Sequence, residues 1–545
     1  MGNRSGRKNR HEGNSGQDGQ KKIAVIDFET DPFLYGRVPA PFAAGFYDGE
    51  RYIHTWGPNC ADELVRVLDT FTEPMIVYAH NGGKFDFHFL MKYISNPIKI
   101  IGSRIVSAKI GIHELRDSYA AVPVPLAAYE KTTIDYDKFE VENREAHKTE
   151  ILNYLKDDCI FLHSLISGFI ERFGTQLTIG GASIKQLRAM HPFDLQRESH
   201  DRRFRQFYFG GRVQCFEYGV LKRKVKIYDV NSMYPAVMRN AIHPTGKEYI
   251  TVRDSIMDKH GRIVGISNAP FYFARVRATI AGGGLPVRTK KGLDFHAKQG
   301  EFWTTSHEVK VLISRGLIKV EKVIEAHAPY ETISFGDFVD KFSEEKINAK
   351  KRGDKAAELF AKLILNSSYG KTAQNSENYR DYCIMRGEIP AELEYQLDAD
   401  HGEFQIWSKP VTRHSYIDVA IGASITSASR AVLLEGLLSV KNPVYCDTDS
   451  IICESPGNLD IDATRLGAWK FEGEGDRIAL AGKKLYAVFN GTEEVKSASK
   501  GAVLNALEIE RIAMGEQIQW KNMAPTFSLL NPPSFIDRKI QSVFT

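Results

Sequence analysis

The run Val444-Tyr445-Cys446-Asp447-Thr448-Asp449-Ser450-Ile451-Ile452 places two acids in a polar turn. The apolar stretches Pro443 to Cys446 and Ile451 to Cys453 flank it, which is the pattern of a β-hairpin. Residues two apart on extended backbone point the same way, so the spacing predicts Asp447 and Asp449 on one face. Two carboxylates held together repel unless a cation lies between them. Oxygen-only ligands suit a hard ion such as Mg²⁺, which leaves other coordination positions to water and phosphate. A solvated acidic turn, or an Asp-x-Asp that holds a nucleotide-sugar through a metal, would use the same residues. A third carboxylate on its own strand and a cation for phosphates would favour a larger site, and the chain has both. The strand-like Val225-Lys226-Ile227-Tyr228 ends at Asp229 and runs into Val230-Asn231-Ser232-Met233-Tyr234-Pro235, where Asn231 or Ser232 can cap a helix. Lys362, Asn366 and Tyr369 share one helix face.

A second acidic group lies upstream. Lys22 to Thr30 reads as a short apolar strand on which Asp27 and Glu29 share a face. A strand over Met75–Ala79 leads through His80-Asn81-Gly82-Gly83-Lys84-Phe85 to Asp86; the glycine pair marks a sharp turn, and Phe85 to Tyr93 reads as the start of a helix. From Ile151 to Phe173, apolar residues recur at spacings of three and four, one stripe of a helix. Tyr154 and Asp158 stack on its flank. Four carboxylates and a tyrosine suit two metal ions about 3.5–4 Å apart, one activating a water and one steadying a leaving oxygen.

The elements that must carry these groups fit a chain of 545 residues, long enough for three or four domains. Between Asp229 and Asp447 lies a helical hairpin, Phe335 to Arg352 and Asp354 to Tyr369, broken at Gly353-Asp354, with Lys346 and Lys350 one turn apart. No run of 18 apolar residues predicts a membrane span, and the polar, basic N-terminus has no secretory h-region. The six cysteines have no C-x-x-C pair, as expected of reduced core thiols in a cytosolic setting. The net charge of +4 equals that of residues 1–22 alone, with six Lys/Arg and two acids. That tail is rich in Gly, Asn, Ser and Gln and is expected to be disordered. The remainder is neutral in sum, so any nucleic-acid contact must come from local basic patches.

Asp-x-Glu, then Asn-x₃-Phe-Asp, then Tyr-x₃-Asp resembles the DEDDy 3′–5′ exonucleases. By that resemblance Asp27, Glu29, Asp86 and Asp158 bind metal, Tyr154 positions the water, and Thr30, Asn81 and Phe85 hold a single-stranded 3′ end. Lys131 matches a catalytic lysine of phage members, and Ser118-Tyr119 stands where their Ser-Leu DNA ligand occurs. Asp229-x-x-Ser-Met-Tyr-Pro and Tyr445-x-Asp-Thr-Asp-Ser resemble the first and third palm motifs of family B DNA polymerases. Lys362-Leu-Ile-Leu-Asn366-Ser-Ser-Tyr369-Gly370 resembles the fingers motif of their protein-primed branch. Tyr208-Phe209-Gly210-Gly211, Thr426-Ser-Ala-Ser429-Arg430 and Lys484-Leu485-Tyr486 resemble motifs that grip template or primer. The Lys484 and Tyr486 side chains are expected to point at one backbone. The whole is similar to tectivirus-type, protein-primed phage DNA polymerases.

That resemblance implies an α/β multidomain fold, an RNase H-like exonuclease domain with a right-hand polymerase domain. The implied divisions are exonuclease 23–185, palm 186–235 and 414–500, fingers 335–370 and thumb 501–545. Two insertions interrupt the palm: 236–334, docking a terminal protein, and 371–413, supporting processivity and strand displacement. It implies two Mg²⁺ ions per site, replaceable by Mn²⁺, with Asp229, Val230 and Asp449 as polymerase ligands and Asp447 in support. Lys362, Asn366, Tyr369, Tyr234 and Lys346 would bind the incoming nucleotide. The implied partners are template and primer DNA, dNTPs and a terminal protein, for a monomer or heterodimer in the cytoplasm of a bacterial host. The rival readings are a family B polymerase with nucleic-acid primers, a nuclease-dominated repair enzyme, a non-catalytic scaffold and a reverse transcriptase; the last would be expected to carry Asp-Asp in its hairpin.

Overall fold

The computed structural model describes residues 21–125, 133–375, 379–392, 394–411 and 416–542. Most of the basic tail, and Lys131, lie outside these residues.

The first acidic group is built on a ten-stranded sheet. Its order is Gln396–Asp400, Gln405–Pro410, Arg380–Met385, Ile94–Ile101, Arg104–Ile110, His113–Asp117, Met75–Ala79, Lys22–Thr30, Pro41–Tyr47 and Tyr52–Trp56. The Lys22–Thr30 strand is an interior one, pairing parallel to Met75–Ala79 and antiparallel to Pro41–Tyr47. A strand covered on both faces should read as continuous apolar sequence, and Ala24, Val25 and Ile26 are fully buried. The predicted long helix forms over Lys148–Phe173 and packs its stripe of Leu155, Cys159, Leu162, Ile166 and Phe169 into the core. Gly174, at φ 74°, ends it. The helix expected from Phe85 lasts only one turn, Asp86–Phe89, before the chain bends into the strand Ile94–Ile101.

The interruption at 371–413 is not a free-standing insertion. Its three strands extend this same sheet through the pairing of Tyr382 with Ile98. Asn96 closes the seam, donating to the Ile384 carbonyl at 2.8 Å and accepting from the Ile384 N–H at 2.9 Å.

The second acidic group stands on a five-stranded antiparallel sheet in the order Trp469–Gly475, Val225–Val230, Ser450–Ser455, Lys441–Asp447 and Val213–Cys215. The strand that carries Asp229 is therefore an interior one, paired with the second arm of the Asp447–Asp449 hairpin. Helix Val419–Ser439 packs behind it and is long and apolar enough to cross a membrane by length and composition alone. It is instead buried in the protein. Two of its hydroxyls are taken up within the helix, Thr426 donating to the Ala423 carbonyl and Ser429 to that of Thr426, while Ser424 pairs with His243.

Helices Gly336–Arg352 and Lys355–Thr372 form the expected hairpin. Gly353, at φ 71°, ends the first, and the Asp354 carboxylate caps the second by accepting from the Ala357 N–H. Residues 243–333 build a four-stranded antiparallel sheet with helix Ser306–Ser314 against it. A further four-stranded sheet, in the order Glu493–Ser499, Leu485–Asn490, Arg477–Gly482 and Gly219–Leu221, carries helix Ala506–Ala513. The segment assigned to one thumb divides: that helix packs on this sheet, whereas Leu529 lies in the core of the first domain.

Candidate active site

Asp27, Glu29 and Asp158 converge as predicted, with ligand oxygens within 4.8 Å of one another. Asp86 lines the same cleft, of about 450 Å³, and one of its buried oxygens, Oδ1, has no hydrogen-bond partner. Burial, with Asp117 nearby, pushes its carboxyl up to about 7. A cation among these oxygens would relieve both the repulsion and the desolvation, so the donor set fits hard divalent ions. Tyr154 is 5% exposed; burial, its hydrogen bond with Tyr136, and Asp158 hold its hydroxyl well above the usual phenol range.

The turn that delivers Asp86 depends on Gly83, where a Cβ would stand 1.9 Å from the Ile105 carbonyl oxygen. Asn81 and Phe85 line the cleft and Thr30 lines an adjoining one of about 510 Å³. Phe85 sits in an aromatic wall with Phe33 at 5.6 Å and Phe89 at 5.1 Å. Ser118 does not face the cleft: it is fully buried, donating to the Ala79 carbonyl and paired with His80. Sequence reasoning missed the far wall, which comes from Ala524–Phe527, with Phe527 5.6 Å from Phe85 and 5.1 Å from His88. Those four residues carry no motif, so no local signal marks them.

At the second centre, Asp229 pairs in register with Ser450, and the Val230 N–H donates to the Asp449 carbonyl at 2.8 Å. Burial first, then Asp449 and Glu472, pushes the Asp229 carboxyl up to about 7. Burial also raises Asp449, helped by Asp447 and opposed by Lys484. This crowding of half-buried carboxylates again fits bound divalent cations.

The expectation that Asp447 and Asp449 share a face is corrected. Thr448 adopts φ 57°, which breaks the alternation of extended backbone. Asp447 instead accepts from Lys484 Nζ at 2.6 and 2.7 Å and from the Tyr445 hydroxyl at 3.1 Å. Lys484 itself lies in a turn at φ 59°, not on the strand, so it and Tyr486 do not point at one backbone. Tyr486 is buried with its ring 4.8 Å from that of Tyr445.

Lys362 and Asn366 are exposed on the predicted helix face, and Lys346 is half-buried on the neighbouring helix. Tyr369 stacks on Tyr234 at 3.9 Å and 14°, joining the helical hairpin to the turn after Asp229. The remaining residues expected to grip template are placed less simply. Gly210 is exposed and Tyr208 half-buried, but Thr426 and Arg430 are inside the protein. Arg430 is 3% exposed and salt-bridged to Glu308, so neither residue presents a free group to DNA.

Residues 106–460 match the family model described as "DNA polymerase type B, organellar and viral". The chain is 45% identical over 556 aligned residues to the DNA-directed DNA polymerase of Enterobacteria phage PRD1, covering 95% of this chain and 98% of that one. It is 28% identical over 288 residues to the DNA polymerase of Streptococcus phage Cp-1, covering 49% and 46% of the two chains. Its fold matches phi29 DNA polymerase complexed with primer-template DNA at a TM-score of 0.72 and 18% identity, over 96% of this chain and 100% of that one. The three-carboxylate hairpin sheet, the fingers-like helices and these matches lead to one assignment: the chain belongs to the organellar and viral type B DNA polymerases and is a DNA-directed DNA polymerase.

Proposed function

We propose that this polymerase joins deoxynucleotides to a primer 3′ hydroxyl at the Asp229–Asp449 centre and trims unpaired 3′ ends at the Asp27–Asp158 cleft. The observation that carries the reading is the presence of two acidic centres on two different sheets, each with crowded carboxylates suited to divalent ions. Asp229, the Val230 carbonyl and Asp449 would hold Mg²⁺ at the first; Asp27, Glu29, Asp86 and Asp158 would hold it at the second. Bound in pairs, such ions stabilise both the attacking and the leaving oxygen of an in-line displacement.

The protein's own groups do the rest. Lys362, exposed on the fingers face, binds the triphosphate as a point charge. The Tyr234–Tyr369 stack forms a flat floor beneath the nascent pair. Asp447, neutralised by Lys484, buttresses the hairpin rather than binding an ion. In the cleft, the Tyr154 hydroxyl stays protonated and orients a water, while Phe85 and its aromatic neighbours stack the terminal bases. Phosphate contacts position the duplex and base pairing supplies sequence, so no base-reading element is required.

Primer choice follows the resemblance to protein-primed phage polymerases. The polymerase starts viral genome replication, in the bacterial cytoplasm, on a hydroxyl of a terminal protein docked on 236–334. The exposed cations of that insertion, Lys290 and Lys291, support this reading. In this reading the 371–413 insertion, whose strands at 380–410 extend the sheet that carries Asp27, supports processivity and strand displacement.

A primer-extension gel with and without dNTPs tests the division of labour. Asp449→Ala abolishes addition and keeps trimming; Asp27→Ala with Glu29→Ala does the reverse. Loss of both activities in either variant would refute two separate centres.

A further inference from the structure

The stretch Arg205–Gly211, the end of helix Glu198–Arg205 and the loop after it, lies directly against the Asp447–Asp449 hairpin. The Thr448 N–H donates to the Arg212 carbonyl at 2.8 Å, and a Cβ on Gly211 would stand 2.7 Å from Thr448 Oγ1. Any shift of this loop must therefore displace the turn that carries Asp449.

Two guanidinium groups grip the loop, one from a short hairpin and one from helix Val419–Ser439. Arg288, on the short hairpin Val287–Thr289/Gly292–Asp294, donates to the carbonyls of Gln206 at 2.9 Å, Tyr208 at 2.6 Å and Arg205 at 3.3 Å. Its guanidinium carbon lies 4.0 Å from the centre of the Phe209 ring. Arg430 lies over the same ring at 5.6 Å and donates to the carbonyls of Phe209 at 2.6 Å and Gly210 at 3.1 Å.

Arg430 is in turn set by Glu308, which is 1% exposed and belongs to the 236–334 insertion. The pair is bidentate, at 2.8 and 3.2 Å. Ser427 at 2.8 Å and Thr304 at 3.3 Å also donate to Glu308 Oε2. A buried carboxylate satisfied on this scale fixes its partner tightly, and removing one member leaves the other uncompensated. Both grips on the loop thus originate in the insertion: Arg288 directly and Glu308 through Arg430.

We infer that Glu308 and Arg288 are positioning residues through which the 236–334 insertion sets the 205–211 loop against the Asp447–Asp449 hairpin. A change in the insertion is then felt at the nucleotide-adding centre and not at the Asp27 cleft. The inference deepens the proposed reading and rests on its assignment of addition to Asp449.

The test compares Glu308→Ala, Glu308→Gln and Arg288→Ala with the unaltered chain. The measurements are single-nucleotide addition on a primed template, degradation of a single-stranded 3′ end, and thermal melting. Glu308→Ala lowers kcat for addition about tenfold, the scale of one charge-assisted hydrogen bond, with the dNTP KM little changed. Glu308→Gln recovers most of that loss, because its amide oxygen still accepts from Arg430. Arg288→Ala, on the surface, lowers addition in the same sense and decides the matter if Glu308→Ala does not fold. Degradation stays within about twofold in all three. Equal loss of both activities, a lowered melting point with normal addition, or no recovery by glutamine overturns the inference. If the unaltered chain itself fails to extend, the parent reading fails instead.

Discussion

Replacing Lys484 with Met tests what neutralises the catalytic hairpin. Lys484 Nζ lies 2.6 and 2.7 Å from the two oxygens of Asp447, with the lysine side chain 36% exposed and the aspartate 17%. A fully exposed pair contributes ~0.2–1 kcal/mol, and breaking a fully buried one costs ~3–5 kcal/mol. This pair lies between them, at about 2 kcal/mol, or about 30-fold in a rate. The loss has a second effect. Lys484 is among the charges that hold the Asp449 carboxyl down, and Asp447 holds it up. Without the lysine, Asp449 ionises only at higher pH, so the acid limb of the addition rate moves upward. Removing Asp447 as well takes away the unpaired charge. A double-mutant cycle of Lys484→Met and Asp447→Asn, read by single-turnover nucleotide addition from pH 5.5 to 9, should give a coupling of about 2 kcal/mol. It should also bring the acid limb back in the double variant. Additive losses, or a weakened affinity for primed DNA that Asp447→Asn does not relieve, would refute the reasoning and return Lys484 to the primer.

Metal and pH are linked through Asp86 and Asp229, both pushed up to about 7. Folded values above the unfolded ~3.9 mean that, without metal, each stabilises the fold below about pH 4 and loses that contribution as pH rises through 7. Ions require both groups ionised, so Mg²⁺ should raise Tm over an EDTA control more at pH 8 than at pH 6; an equal increment at both would contradict this. Tyr234→Val removes the ring stacked on Tyr369 and opens space beside the sugar, so ribonucleotide use should rise relative to deoxynucleotide use. An unchanged ratio in competition assays, with activity retained, would make Tyr234 a packing residue.

The ligand sets were legible because each depends on short-range order. Asp27 and Glu29 alternate on a true strand, and Tyr154 and Asp158 are four apart on a true helix. The same logic misplaced Asp447, because one left-handed residue, Thr448, reverses a side chain that alternation would have kept beside Asp449. Arg430 misled for another reason. An arginine on a helix reads as exposed, and its burial depends on Glu308, 122 residues upstream on a different element. The joining of 380–410 to the first sheet was equally hidden: Tyr382 and Ile98 meet only by tertiary packing, and neither stretch announces an open edge.

The far wall of the Asp27 cleft also bears on how the chain is made. Phe527 and Leu529 complete a wall and a core begun by the strand at Lys22, and His401 pairs with the Leu529 carbonyl at 2.7 Å. At a ribosomal rate of ~5–20 residues/s, roughly 370 residues separate Asp158 from Phe527, a lag of about 20–70 s. Throughout that interval the nascent protein holds Asp27, Glu29 and Asp158 while one wall of their cleft, and at first the 380–410 strands of their sheet, are still to be made. The Asp229–Asp449 centre, finished with Lys484, is complete in sequence before that cleft is walled. If that cleft trims 3′ ends as proposed, its carboxylates are made early and enclosed late, and a ribosome stalled short of Phe527 would carry them without their far wall.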